Sequence, residues 1–367
     1  MQKKSFSWWQ KWQILRQISV IYSVTLISLS LGISPAIGDP FRKNNPDNNI
    51  GEKTEAAFKY MFEEGNYQKA QDYLKLAESQ EISEPLVYAM LASLHYLDEN
   101  WESLKLYAQK TTEVGENLIA SNPVRGNIYA ATGHFLEGAY ILSTEGTLKG
   151  TPKALNKLKK VFSYFEAAER INSSDPELNL MKGYMDLMLA VNLPFSDPAK
   201  AIERLQEQAY PHHLADRGVA VAYRDLDKLE KALEYVDKAL SEVPDNPEVH
   251  YLKAQILVSQ ADNKDNNLSI REKARKNFDI ALAKSNQLPR RLVAQMFFEQ
   301  CKNINKIDNG NRPCDPMRDA IRDGVGTWGP PELPALALSQ KREDSEAERL
   351  LLQSSPQDRN LKGKSKN

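Results

Sequence analysis

The sequence predicts an all-α protein, a linear array of about six helix pairs finished by a C-terminal helical cap. Three observations lead there. From residue 52 onward apolar residues recur at the helical period, and strand-like alternation is absent. Gly and Pro stand at the borders between helical runs. Asn122-Pro123, Asp175-Pro176-Glu177 and Asn246-Pro247-Glu248 each put a capping side chain ahead of proline. That combination starts a helix: the Asn or Asp oxygen accepts an otherwise unpaired backbone N–H, and proline lacks the N–H that would be unpaired anyway. A glutamate in the first turn complements the helix dipole.

The stretch 216–244 shows the repeating unit most clearly. Ala220, Ala232 and Ala239 let two helices approach closely, Tyr223 and Val236 fill the space between them, and Pro244 stops the second helix. With Leu229 these residues fall at the spacings of a tetratricopeptide repeat (TPR), which the unit resembles. The resemblance implies a right-handed α-solenoid, a ribbon-like body in which neighbouring pairs share their apolar faces.

Taken in order, unit one spans 52–80, with Gly65, Tyr67, Ala70, Leu74 and Ala77 at the turn and second helix. Unit two, 85–118, carries Tyr88, Leu91 and Ala92, but Leu104, Ala108 and Thr111 fall where small residues are usual, so it is degenerate. The third pair, 123–145 and 152–171, keeps Phe165 and Ala168, has Val161 where Ala is usual, and has a longer connection. Unit four, 176–208, has Gly183, Ala201 and Leu205 around an insertion at 192–197. Unit five is 216–244, and unit six, 247–285, keeps Ala254, Ala274, Phe278 and Ala281 around an insertion at 262–267.

The repeat domain therefore runs over 52–285. Residues 286–340 are expected to cap it, with a helix over 289–303, a polar turn at Asn309-Gly310, a short helix over 315–323, and an extended Trp328-Gly329-Pro330-Pro331 segment against the last helices. The charge-rich tail 341–367 is expected to be mostly disordered.

At the front, Lys3, Lys4, Lys11 and Arg16 precede an uncharged run over 17–38 that ends in Gly32, Pro35 and Ala36-Ile37-Gly38. This reads as a signal peptide, 1–38, cleaved before Asp39, and places the chain in a periplasm or comparable lumen. The alternative is a membrane anchor formed by residues 17–38, in which case the chain touches a membrane there. Residues 39–51, polar and rich in Asn and Pro, read as a flexible linker.

Composition narrows the function by exclusion. The chain carries 48 basic and 49 acidic residues, five His and two Cys, which suits neither a nucleic-acid binder nor a metal protein. Without residues 1–38 the balance is 44 basic to 49 acidic. No phosphate-binding loop, nucleophile elbow, dinucleotide fingerprint or zinc-protease motif occurs. His212-His213 point about 100° apart on a helix and lack a spaced third ligand, so no metal and no cofactor is expected. Cys301 and Cys314 flank a Gly- and Pro-containing loop and are expected to form a disulfide in an oxidising compartment.

The TPR resemblance also supplies a candidate site, because in that family the first helix of each unit lines a concave groove that takes a peptide or partner helix. Mapped onto this chain, the exposed groove positions are Lys59, Phe62, Tyr96, Tyr184, Arg217, Arg224, Tyr251 and Gln255. The Lys/Asn pairs of the TPR clamps for chaperone carboxylates are missing. The layout of signal, TPR units and C-terminal Cys pair is similar to exported TPR-containing proteins of unknown function in cyanobacteria. The expected function is a non-catalytic scaffold that binds a protein or peptide, with envelope or membrane-complex assembly as a fitting role. The alternative is an enzyme on a helical scaffold, such as a cell-wall hydrolase, with an unrecognised carboxylate site.

Overall fold

A computed structural model describes residues 38–42, 50–192 and 198–336. The expected signal, the insertion over 193–197 and the charged tail lie outside the described residues. The described residues form α1 (Glu52–Phe62), α2 (Tyr67–Gln80), α3 (Pro85–Leu97), α4 (Trp101–Leu118), α5 (Pro123–Ile171), α6 (Pro176–Asn192) and α7 (Pro198–Gln208). They continue with α8 (His212–Asp225), α9 (Leu229–Glu242), α10 (Pro247–Asn263), α11 (Leu268–Leu282), α12 (Arg290–Asp308) and α13 (Cys314–Arg322). The fold is an α-solenoid: each helix packs on its sequence neighbours, and pairs stack on pairs.

The residues that carried the repeat pattern form its core. Ala220, Ala232, Val236, Ala239, Ala254, Ala274, Phe278 and Ala281 are fully buried, as are Tyr67, Ala70, Leu74 and Ala77. The capping oxygens act as expected. Asn122 accepts from the Arg125 amide at 3.2 Å, Asp175 from Leu178 at 3.0 Å, and Asn246 from Glu248 and Val249 at 3.0 and 3.2 Å. Helix α1 starts on Gly51, which has no side chain to cap with, and the Glu81 carboxylate substitutes, accepting from the amides of Lys53 and Thr54 at 2.8 Å each.

The third pair differs from expectation in its joint. Gly146, at φ 74°, breaks α5 into two antiparallel arms without a longer connection. A single residue reverses the chain because glycine carries no Cβ to clash at positive φ. Glu137 and Glu145 on the first arm pair with Lys157 and Lys153 on the second, at 2.6 and 2.7 Å.

At the far end Cys301 and Cys314 form a disulfide that ties α12 to α13. In the chain-entropy account, closing a loop of this length stabilises by about 3 kcal/mol. The segment after α13 returns to the start of α12: the Arg290 amide donates to Thr327 at 2.8 Å and the Gly329 amide to Leu288 at 2.9 Å. The Trp328-Gly329-Pro330 stretch thus lies against the residues that lead into α12.

Two findings correct the expected ribbon with a flexible leader. First, the array coils until its beginning meets its end. The α1–α2 turn abuts the start of α10: Asn246 Nδ2 lies 3.5 Å from the carbonyls of Phe62 and Glu63, and the Tyr67 hydroxyl donates to Glu248. A Cβ on Gly65 would stand 2.6 Å from Pro247 Cδ, and Gly65 itself sits at φ 60°, so the seam needs glycine for both reasons. One unit further on, Arg291 of α12 pairs with Glu99 after α3 at 3.0 Å. Second, the described ends of the expected linker are packed: Phe41 and Ile50 are each 1% exposed, and Phe41 meets the Phe58 ring edge-on at 5.0 Å.

The seam carries a pH signature. Burial pushes the Glu63 carboxyl up to about 7 from 4.5, with Lys59 opposing and Glu55, Glu242 and Glu64 adding to the rise. A carboxyl whose folded value is raised stabilises fully below its unfolded value, and that stability is lost as pH rises through the folded value. Urea denaturation of wild type and Glu63→Gln between pH 5 and pH 8 should therefore show the wild type losing ground to the variant as pH increases.

Candidate partner-binding face

The two helices of each pair are buried differently, which identifies the inner row. Helix α3 buries every residue from Pro85 to Leu94, whereas α9 buries a single stripe of Leu229, Ala232, Val236 and Ala239. First helices are covered by their partners on one side and by the interior of the coil on the other. Second helices form the outer wall, their polar faces in water.

This burial redistributes the expected groove residues. Lys59 is exposed and pairs with Glu55 one turn earlier. Tyr96 is half-buried, its ring edge-on to Trp101 at 5.8 Å. Exposure is corrected for Phe62, Arg217 and Tyr251. Phe62 is buried against the Phe58 ring at 4.3 Å. Arg217 is buried on Glu248 at 3.0 Å, and Tyr251 packs beside Phe278 at 6.1 Å. Tyr184 lies between units, against Gly218, and its hydroxyl donates to the Leu214 carbonyl at 2.5 Å. The reason is common to all four: in so tight a coil the inner row is mostly core.

Arg224, Tyr251 and Gln255 do come together, around a residue that sequence reasoning missed. Arg224 Nη1 donates to Gln255 Oε1 at 2.8 Å, and Gln255 Nε2 donates to Glu299 Oε2 at 3.0 Å. Gln295 Nε2 donates to the other carboxylate oxygen at 2.8 Å, and the Tyr251 hydroxyl adds a further hydrogen bond. Burial raises the Glu299 carboxyl above its ordinary value, against the pull of Gln295, Gln255, Tyr251 and Arg224. Arg291, Gln295 and Glu299 share one face of α12 at four-residue spacing. The polar row therefore runs from α8 across α10 and α12 to Glu99 and to Asp98, whose carboxyl burial pushes up to about 6 against Arg291. The sequence signal for Glu299 is that four-residue spacing.

A second polar cluster joins α3, α5, α6 and the segment ahead of α1 and is largely buried. Arg125 donates to both oxygens of Glu84 at 3.0 and 2.9 Å and to Glu177 at 3.1 Å, and the Tyr129 hydroxyl donates to Glu177 at 2.5 Å. Arg42 reaches in to meet Asp39, Asp175 and Glu177 at 2.6, 2.8 and 2.9 Å. Burial alone would raise the Glu177 carboxyl, but Arg125 and Arg42 outweigh it and hold it below its ordinary value. Two guanidinium groups thus face four carboxylates, and burial together with the neighbouring Glu177 raises the Asp39 carboxyl above its ordinary value.

Stacked helix pairs around an inner row define the class of fold: an α-helical repeat, the α-solenoid. No protein-family model matches the chain, and no curated protein does. Among solved structures it is similar to one described as the human IFIT1 dimer with PPP-AAAA, at 19% identity and a TM-score of 0.37. That likeness takes in 70% of this chain and spans 60% of the other. Among the described residues no group of His, Cys, Asp and Glu is arranged to hold a metal ion, and no helix is long and apolar enough to cross a membrane.

Proposed function

We propose that the chain is an exported, non-catalytic scaffold that binds a protein or peptide along the polar row of α8, α10 and α12. The observation that carries this reading is the relay Arg224, Gln255, Glu299 and Gln295. It spans three successive first helices with side chains that are only partly buried, whereas most of the inner row is core. Amide and guanidinium donors beside a carboxylate suit the alternating donors and acceptors of an extended peptide backbone. Lys59 and Tyr96 would extend the contact. Export is supported by the disulfide, which belongs to oxidising compartments, and by the composition of residues 1–38. Envelope or membrane-complex assembly remains the role that such a scaffold fits.

The test is affinity capture from the native compartment with wild type, Arg224→Ala and Gln255→Ala, with helical content measured alongside. Specific partners should be lost from both variants while helicity is retained. Retention of every partner by both variants would refute the row as the binding face. Arg217→Ala and Tyr251→Ala are unsuitable because their side chains are buried.

A further inference from the structure

The hairpin of α5 departs from the rest of the array in a way that the partner-binding reading does not use. On its second arm Leu148, Leu155 and Phe162 are 97%, 51% and 36% exposed. They recur every seven residues and so form one stripe, about 21 Å long at the helical rise. Beneath them Val161, Phe165 and Ala168 hold the arm to the core, so the stripe is a second apolar edge beyond the one that packs. Exposed large apolar side chains in a row ask for an occupant, whereas scattered ones do not.

Charge selects the occupant. Residues 146–165 contain five lysines and no Asp or Glu, in a chain whose formal net charge is −1. Lys153 and Lys157 pair with Glu145 and Glu137 on the first arm, which leaves Lys149, Lys159 and Lys160, all exposed, as the source of a positive field beside the stripe. A second copy of the same arm would be repelled by that field. An anionic lipid surface would be attracted, and it would accept leucine and phenylalanine at the level of its acyl boundary.

We propose that the second arm of α5 docks on an anionic membrane surface, with Leu148, Leu155 and Phe162 in the interface and Lys149, Lys159 and Lys160 on the headgroup phosphates. This contact is independent of residues 17–38 and of whatever partner the polar row binds. It sets the solenoid on the membrane by the edge of its third pair and leaves α8, α10 and α12 clear of it.

The experiment attaches an environment-sensitive dye at residue 148 of the full chain and adds vesicles of neutral lipid alone or with a phosphatidylglycerol fraction, some carrying brominated acyl chains. Because the dye reports the arm itself, binding through the N-terminal segment does not mimic the signal. The proposal expects a blue shift and bromine quenching on anionic vesicles, reversed by salt. The triple change Lys149→Ala, Lys159→Ala and Lys160→Ala should weaken partition about 100-fold. Leu155→Ser with Phe162→Ser should abolish quenching; all five positions are exposed, so helical content should hold. A dye that stays in water on anionic vesicles overturns the proposal, as does quenching indifferent to the lysine changes. Self-association through the stripe without partition into vesicles would also overturn it, assigning the edge to a second copy.

Discussion

Replacing Arg125 by methionine is expected to destabilise the chain by about 3–5 kcal/mol, the range for removing one partner from a buried charge cluster. The side chain is 4% exposed and joins the carboxylates of Glu84 and Glu177, which stand at the starts of the first helices of the units before and after its own. Methionine fills comparable volume, so little of the loss is cavity. The loss comes from a Glu84 carboxylate left inside the coil without its bidentate donor and a Glu177 left to Arg42 and Tyr129. Urea denaturation of the single variant, set against Arg125→Met with Glu84→Gln, separates the two contributions. The double variant should recover part of the loss, because a neutral amide costs less to bury than an unpaired carboxylate. A single-variant loss below about 1 kcal/mol would mean the cluster is wet and behaves as a surface pair.

Replacing Glu248 by leucine should cost a similar amount, about 3–5 kcal/mol, with a geometric consequence in addition. Glu248 is fully buried and binds Arg217 from the preceding unit at 3.0 Å and the Tyr67 hydroxyl from the first unit. Arg217 Nε has no hydrogen-bond partner even with Glu248 present, so its guanidinium tolerates the loss badly. Tyr67→Phe removes the seam bond alone and should cost about 1.5–3 kcal/mol, the worth of a hydrogen bond to a charged group. The excess cost of Glu248→Leu over Tyr67→Phe reports the stranded guanidinium together with the Tyr67 hydroxyl's loss of its bond to Glu248. Both should loosen the contact between the α1–α2 turn and the start of α10, whereas Arg125→Met should leave that contact in place.

The sequence showed the helix pairs and their junctions because those depend on neighbours a few residues apart. Ala232 and Ala239 announce a close approach, Asn246 before Pro247 announces a start, and Cys301 with Cys314 announces a tie; each signal is local. The seam depends on the accumulated rotation from one unit to the next, and no residue spells out that sum. Tyr67 was legible as a repeat residue and Glu248 as a dipole complement, yet their hydrogen bond spans 181 positions. The same blindness affected Phe41 and Arg42, which lie in a stretch too polar to suggest packing but dock onto Phe58, Asp175 and Glu177. For the candidate face, the TPR resemblance put Arg224 and Gln255 on the inner row, where the two are hydrogen-bonded to each other. It placed Arg217 and Tyr251 there too, and could not tell a lining residue from a core one without the pitch of the coil.

That pitch is the claim on which the rest depends: about five units complete a turn, and the first unit then rests on the sixth. Spin labels at Gln68 and Asp245, both exposed and on opposite sides of the seam, measure it directly in the full chain. The account predicts one short, narrow distance that broadens in Glu248→Leu and is unchanged in Arg125→Met at denaturant concentrations where that variant remains folded. A long or broadly distributed distance in the unmodified chain would show an open ribbon and contradict the account.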